Sequence, residues 1–420
     1  MGLAFLLAYI ALNFLSPAEI FPTLAPYHVM QILAVACLIP AVFTRMQSPE
    51  VGTLRTQFAL LILFFLFAIS SWLPHGGLGA NIATFNAIAP NVLVYFMGIV
   101  FLRSPNKLSL MRGVLVLVAI YIIAVALSEV PRASASGEST PYVLSSEEGD
   151  VRIQGRGMMN DPNYFGQFLL MLIPMVFVSK KRTGLGVGYA VVIPIVMVLL
   201  VGIYFTNSRG TQLGVAVLIG LYLTRRLKKA GAILSVFIGA ASLYAINTFR
   251  GRTISISGGI DRLAIWSDGM QFFKHSPLWG VGARGFQELQ ESNMTAHNSF
   301  LLCAAELGMI GFFLWMSMIV VTMIQLNRIP KVVEKSNPIL GRWAVAMQFA
   351  LGVYMFTSFF ISRTYDLPLF LLLGMSGGVI IAAGGDKAIP LQGTKWQIKS
   401  LGLCAGILMT IYVMLRLRLV

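Results

Sequence analysis

The 420-residue chain reads as an all-α polytopic membrane protein. Three observations carry that reading. Hydrophobic residues make up 57% of the chain and charged residues only 11%, where soluble domains carry about a quarter charged. The mean hydropathy is +0.79. Apolar runs close to the ~20 residues needed to cross a hydrocarbon core recur from one end to the other.

Those runs fall near 3–16, 27–43, 57–73, 84–102, 110–128, 164–179, 185–206, 211–224, 231–248, 298–324, 343–362, 367–383 and 401–416. They predict about 12–13 transmembrane helices, because backbone facing lipid has to satisfy its own hydrogen bonds. The first run is the weakest. With no basic region and no small-residue cleavage site before it, Leu3–Leu15 reads as a retained span. The run 84–102 holds Pro90, Asn86 and Asn91, which predicts a kinked helix packed inside the bundle. No soluble domain is appended and no repeat is visible, so residues 1–420 are expected to form a single transmembrane domain.

The net charge of +15 invites a nucleic-acid reading, but its distribution argues against one. Nineteen of the 31 Lys and Arg lie on 44–56, 103–113, 180–182, 225–229, 328–342 and 387–399, and ten on the opposite links. That is the bias of cytoplasmic loops, with the N-terminus inside. A thirteenth crossing breaks the pattern by placing Arg416 and Arg418 outside, so either one run is not a span or the last does not cross fully. Two extracytoplasmic loops are long, about 129–163 and 249–297, whereas the cytoplasmic links are short. Function carried on loops is therefore expected outside. Cys37, Cys303 and Cys404 all sit in apolar runs and read as small buried hydrophobes, with no disulfide frame and no metal site.

Several polar motifs interrupt this apolar chain. In Asn207-Ser208-Arg209-Gly210 one run ends and the next begins at once. An arginine at a helix end often only snorkels to headgroups. Here the link is minimal and keeps Arg209 near the membrane plane, which favours a functional cation. Arg262 precedes Leu263, Ile265, Trp266, Met270 and Phe273, a spacing that predicts an amphipathic helix lying on the bundle. Its planar donor fork suits an oxygen-rich anion. The neighbouring Arg250, Arg252 and Lys274 read as an exposed positive face.

Gly280-Val281-Gly282-Ala283-Arg284-Gly285 matches the dinucleotide-binding pattern by letter. No βαβ unit surrounds it, so it predicts instead a tight turn with exposed backbone amides, with Arg284 a secondary anion ligand. His297, just before a long apolar run, is a neutral imidazole able to take a proton from a hydroxyl. A hydrogen-bonded structural histidine is the plainer alternative, and metal binding lacks partners at ligand spacing. Glu306, nine residues on, points to the opposite helix face and reads as a polar contact between helices. In Asn160-Asp161-Pro162-Asn163, Asp161 or Asn163 caps a helix with Pro162 in its first turn, leaving Asn160 and Asn163 as weaker substrate contacts. Arg363 and Asp366 can pair with each other. Alternatively, Asp366 orients His297, as a carboxylate does for a catalytic imidazole.

The order of these motifs resembles the O-antigen ligase and O-antigen (exopolysaccharide) polymerase superfamily. The resemblance rests on Gly155-Arg156-Gly157, Asn160-Asp161-Pro162-Asn163, Ser208-Arg209-Gly210, Arg262-x-x-x-Trp266, Pro277-Leu278-Trp279-Gly280-Val281-Gly282, Ala296-His297-Asn298-Ser299 and Ala305-Glu306-Leu307-Gly308. It implies a GT-C-like bundle in the bacterial inner membrane that takes a preassembled glycan from undecaprenyl pyrophosphate. The acceptor would be a hydroxyl of a glycan or of lipid-A core, on the periplasmic side. No cofactor, metal or nucleic acid is implied, and the partners are the lipid-linked oligosaccharide donor, the acceptor and membrane lipids. By the resemblance, Arg209 and Arg262 bind the pyrophosphate and His297 is the loop histidine. Trp266 stands where the ligase motif usually has Leu, which leaves polymerases and protein O-oligosaccharyltransferases open beside ligases. A different class, a small-anion transporter taking bicarbonate-like ions, would also use a basic cavity.

Overall fold

A computed structural model describes residues 1–47, 54–145, 150–178, 187–249, 256–290 and 294–417. Arg250, Arg252 and Arg418 lie outside the described residues, as do parts of both long loops. The protein is an all-α polytopic membrane protein. In chain order the helices are α1 Gly2–Leu15, α2 Pro17–Ile20, α3 Val29–Gln47, α4 Arg55–Ser70, α5 Leu78–Phe101 and α6 Pro105–Ser136. There follow α7 Pro162–Val176, α8 Val187–Phe205, α9 Arg209–Leu227, α10 Lys229–Phe249, α11 Ile256–His275 and α12 Gly285–Leu289. The last are α13 Ser299–Val332, α14 Pro338–Thr357, α15 Leu367–Ala382, α16 Gly385–Ala388 and α17 Lys395–Leu417. A small antiparallel hairpin pairs β1 Val143–Ser145 with β2 Val151–Ile153.

Each of the thirteen apolar runs coincides with a helix. Among the described residues, seven helices are long and apolar enough to cross a membrane, and Gly2–Leu15, Tyr189–Phe205, Lys229–Ser242 and Leu367–Ala382 are shorter apolar helices. Pro90 sits inside α5. Asn91 matches its expected internal role, donating from Nδ2 to the Tyr365 carbonyl at 2.7 Å; Asn86 is exposed. The three cysteines are buried. The two long loops are also shorter than the hydropathy suggested, because α6 continues to Ser136 and α11 fills 256–275.

Contacts divide the chain into two compact units. The first comprises 1–49, 97–249 and 333–357. At its core α7 is buried along nearly its whole length and packs against α14, α8 and α9. A helix apolar on all sides belongs in an interior. Phe14 and Phe168 meet with ring centroids 4.6 Å apart. The buried Gln167 is held locally, its Nε2 donating to the Tyr354 carbonyl at 3.0 Å and to Thr357 Oγ1 at 2.9 Å.

The second unit comprises 50–96, 250–332 and 358–420. Its centre is α13, which packs against α4, α11, α15 and α17. This helix is broken. Gly308 has φ 60° and ψ −166°, so Ser299–Leu307 and the stretch after Gly308 are two helical pieces. The break frees carbonyls that a continuous helix would use.

Candidate functional site

The first unit carries a basic corner at the α8–α9 turn. Ser208 is the N-cap of α9, its Oγ accepting from the Thr211 amide at 3.3 Å, so Arg209 is the first helical residue. Serine suits that place because its oxygen takes an amide that has no helical partner. Asn207 adopts a left-handed φ of 52°, which Asn tolerates better than most residues. Its Nδ2 donates to both oxygens of Asp150, at 3.0 and 3.2 Å. From β2, Arg152 Nε donates to the Thr206 carbonyl at 3.0 Å and Nη2 to Asn163 Oδ1 at 3.1 Å. One guanidinium thus ties the hairpin, the end of α8 and the start of α7 to the turn that presents Arg209.

Asp161 caps α7, accepting from the amides of Asn163 at 2.6 Å and Tyr164 at 3.3 Å, as one of the two capping alternatives required. Asn160 is exposed and its Oδ1 accepts from Gln154 Nε2 at 2.5 Å. Both asparagines singled out in the sequence therefore join this corner, Asn163 through Arg152 and Asn160 through Gln154. Arg152 itself was passed over, because a single arginine in a polar loop has no periodicity to mark it.

The second unit carries a different corner, around the start of α13. His297 has a left-handed φ of 47° and is half-buried. Asn298 is fully buried and its Oδ1 accepts from the amides of Phe300 and Leu301, both at 3.0 Å. The turn 358–366 is stitched to the same place. The Ser299 amide donates to the Ser358 carbonyl at 2.8 Å, Ser299 Oγ accepts from the Arg363 amide at 2.8 Å, and Thr364 Oγ1 donates to the Ser299 carbonyl at 3.0 Å. Arg363 Nη1 and Asp366 Oδ2 form an ion pair at 3.2 Å, the plainer of the two expectations for Asp366.

On α11 the indole Nε1 of Trp266 donates to the Ala296 carbonyl at 2.9 Å. Arg262, exposed and one turn earlier on the same face, is thereby carried on a helix anchored beside His297. The expected amphipathic character holds, with Ile265, Trp266 and Met270 buried.

The glycine motif is not the open turn that the sequence suggested. Its amides are taken. Val281 and Gly282 donate to the carbonyls of Ala305 and Glu306, both at 3.0 Å, and Met309 donates to the Pro277 carbonyl at 2.7 Å. The loop therefore pairs with the carbonyls that the break at Gly308 releases. Glycine is needed on both sides. A Cβ on Gly280 would collide with the Glu306 backbone, and one on Gly308 with the Leu278 backbone. The far side of the loop is held by the turn that follows α4. Ser71 Oγ accepts from the Ala283 amide at 2.9 Å, Trp72 Nε1 donates to the Ala283 carbonyl at 2.8 Å, and His75 Nε2 donates to the Gly280 carbonyl at 3.1 Å. His75 has a defined structural place that its sequence context did not suggest.

Glu306 closes the arrangement. It is 2% exposed, and a buried carboxylate needs partners. Its Oε2 accepts from the Tyr365 hydroxyl at 2.7 Å, and its Oε1 from the Phe286 amide at 3.4 Å. Burial holds the Tyr365 phenol well above its ordinary pKa, so it remains the donor of that bond. The sequence anticipated a polar contact between membrane helices; Glu306 instead binds the turn 358–366 and the first turn of the short α12. Arg284, with φ 64°, is exposed at the end of the loop that Glu306 receives.

Residues 194–316 match a family model, O-Antigen ligase. The match covers less than a third of the chain and supports its resemblance to the O-antigen ligase and polymerase superfamily. The matched stretch runs from α8 into α13 and takes in Arg209, Arg262, Arg284, His297 and Glu306. Its members' activity is glycan transfer of the ligase or polymerase type, which uses lipid-linked glycans and a glycan acceptor. No curated protein matches the chain.

Proposed function

We propose that the protein transfers a preassembled glycan from undecaprenyl pyrophosphate to a sugar hydroxyl, on the periplasmic face of the bacterial inner membrane. One observation carries the reading. The stretch matched by the O-antigen ligase family contains Arg209, Arg262 and His297, and the Trp266–Ala296 bond of 2.9 Å anchors the helix bearing Arg262 beside His297.

In the reaction, the bond from the anomeric carbon to the diphosphate oxygen breaks and its electron pair leaves with the diphosphate. A bond from the acceptor oxygen to that carbon forms, and the hydroxyl proton passes to the His297 imidazole. Arg209 and Arg262 stabilise the charge developing on the leaving group, as fixed cations aimed at it; Arg284 is a third cation for the same anion. Asp366 orients His297 from the turn 358–366, and Asn160 and Asn163 contact the sugars. None of these steps calls for a cofactor.

The broken α13 invites a transporter reading, since transport sites often sit on interrupted helices. Here the carbonyls at the break are taken by the glycine loop, and Glu306 by Tyr365 and Phe286. That speaks for a scaffold holding loops and against an ion site.

The test uses the full chain in proteoliposomes with purified lipid-linked glycan and acceptor. Transfer is expected from the wild type, with strong losses in Arg209→Ala, Arg262→Ala and His297→Ala. Full activity in Arg209→Ala and His297→Ala together would remove the site, and uptake of labelled bicarbonate without transfer would favour the transporter. In a deletion strain, short lipid-linked units mark a polymerase and long unattached polymer a ligase.

A further inference from the structure

We propose that Trp266 is a positioning residue for His297, its indole N–H holding the Ala296 carbonyl and so setting the backbone that aims the imidazole. The inference rests on the role given to His297 above. It starts from a strained residue. His297 has φ 47°, a conformation that costs a non-glycine residue free energy and persists only where the surroundings over-determine it.

Three contacts do so. On the C-terminal side, Asn298 caps α13 and the Ser299 amide is bound to the Ser358 carbonyl at 2.8 Å. On the N-terminal side stands the bond from Trp266 Nε1 to the Ala296 carbonyl, at 2.9 Å. That carbonyl belongs to the peptide linking Ala296 to His297. Its direction fixes the plane from which His297 departs, so this bond acts on the histidine more directly than either of the others.

The donor is itself immobilised. Trp266 is buried, stands edge-on to Phe359 with centroids 5.6 Å apart at 81°, and packs with Met270, Leu301 and Ile411. Ala296 is fully buried too, so water is a poor substitute partner for its carbonyl. A buried indole with any satisfied N–H would serve packing alone. What singles out this one is that its acceptor is the peptide of a strained, half-buried imidazole.

The experiment uses the full chain in proteoliposomes with lipid-linked glycan. Trp266→Phe keeps an aromatic ring and removes the N–H. Rates are compared in the wild type and in the His297→Ala background, with incubations long enough to read residual turnover. The expected result is a loss in kcat of roughly five- to tenfold from the lost hydrogen bond, with donor KM unchanged within about twofold. In the His297→Ala background the same substitution should change the rate by less than about twofold, since a residue acting through His297 has nothing left to position. Trp266→Tyr, read in the same way, replaces Trp266→Phe if the latter does not fold. An unchanged kcat in an active protein overturns the proposal, as does an equal loss in both backgrounds, which marks plain packing. A wild-type protein inert towards lipid-linked glycan overturns the underlying reading and the proposal together.

Discussion

The two basic corners are built by different physics. At the α8–α9 turn, side chains do the holding. Arg152 grips Thr206 and Asn163, Asn207 grips Asp150, and Ser208 caps α9. In the second unit, at the break within α13, main chain pairs with main chain. Glycines let the 277–282 loop lie against the broken helix, and the polar side chain of Glu306 finishes the joint. A clamp of side chains loses one bond at a time when mutated. A backbone joint admits no added atom, so a single methyl group can open it. The second corner should therefore be brittle and the first graded.

Gly308→Ala tests that brittleness with the largest expected effect. The new Cβ meets the Leu278 backbone at a positive φ, and the protein should lose about 3 kcal/mol or more of stability. Thermal unfolding in detergent reads it, and a change under about 1 kcal/mol would break the contrast between the corners. His297→Ala comes next. It should leave the fold intact and reduce glycan transfer about hundredfold, equivalent to ~2.7 kcal/mol in the barrier. Equal transfer at matched protein levels would detach catalysis from the second corner.

Arg152→Gln probes the graded corner. Two hydrogen bonds of a half-buried guanidinium go, and donor KM should rise about tenfold through a loosened Arg209 turn, with the melting temperature nearly unchanged. A collapse in stability instead would make the first corner as brittle as the second. The smallest effect belongs to Asn298→Ala, which removes the cap of α13 and should cost about 1 kcal/mol, measured by unfolding. A loss above about 3 kcal/mol would place the second corner's weak point at this cap, ahead of the glycine joint.

Much of the architecture was legible in the chain because lipid enforces a simple rule. Apolar runs must be helical, and each of the thirteen runs is matched by a helix. The candidate residues were legible for a similar reason, since a charge such as Arg209 or a histidine such as His297 stands out against an apolar background. Arg152 stood out less, because its meaning lies in the carbonyl of Thr206 and the side-chain oxygen of Asn163, which the hairpin brings to it. The glycine motif showed its need for glycine but not what lay opposite. Its partner is the backbone of α13, and a backbone has no sequence signature.

By itself, then, the order of apolar and polar residues determined a polytopic helical protein, its resemblance to the O-antigen ligases and the cations and imidazole worth testing. Tertiary structure alone decided that α13 breaks at Gly308, that the loop 277–282 fills the break, and that Trp266 holds the peptide before His297. The reason is one of range. Hydropathy and periodicity are properties of neighbours in the chain, whereas a freed carbonyl and the amide that satisfies it lie 24 residues apart or more and meet only when the helices pack.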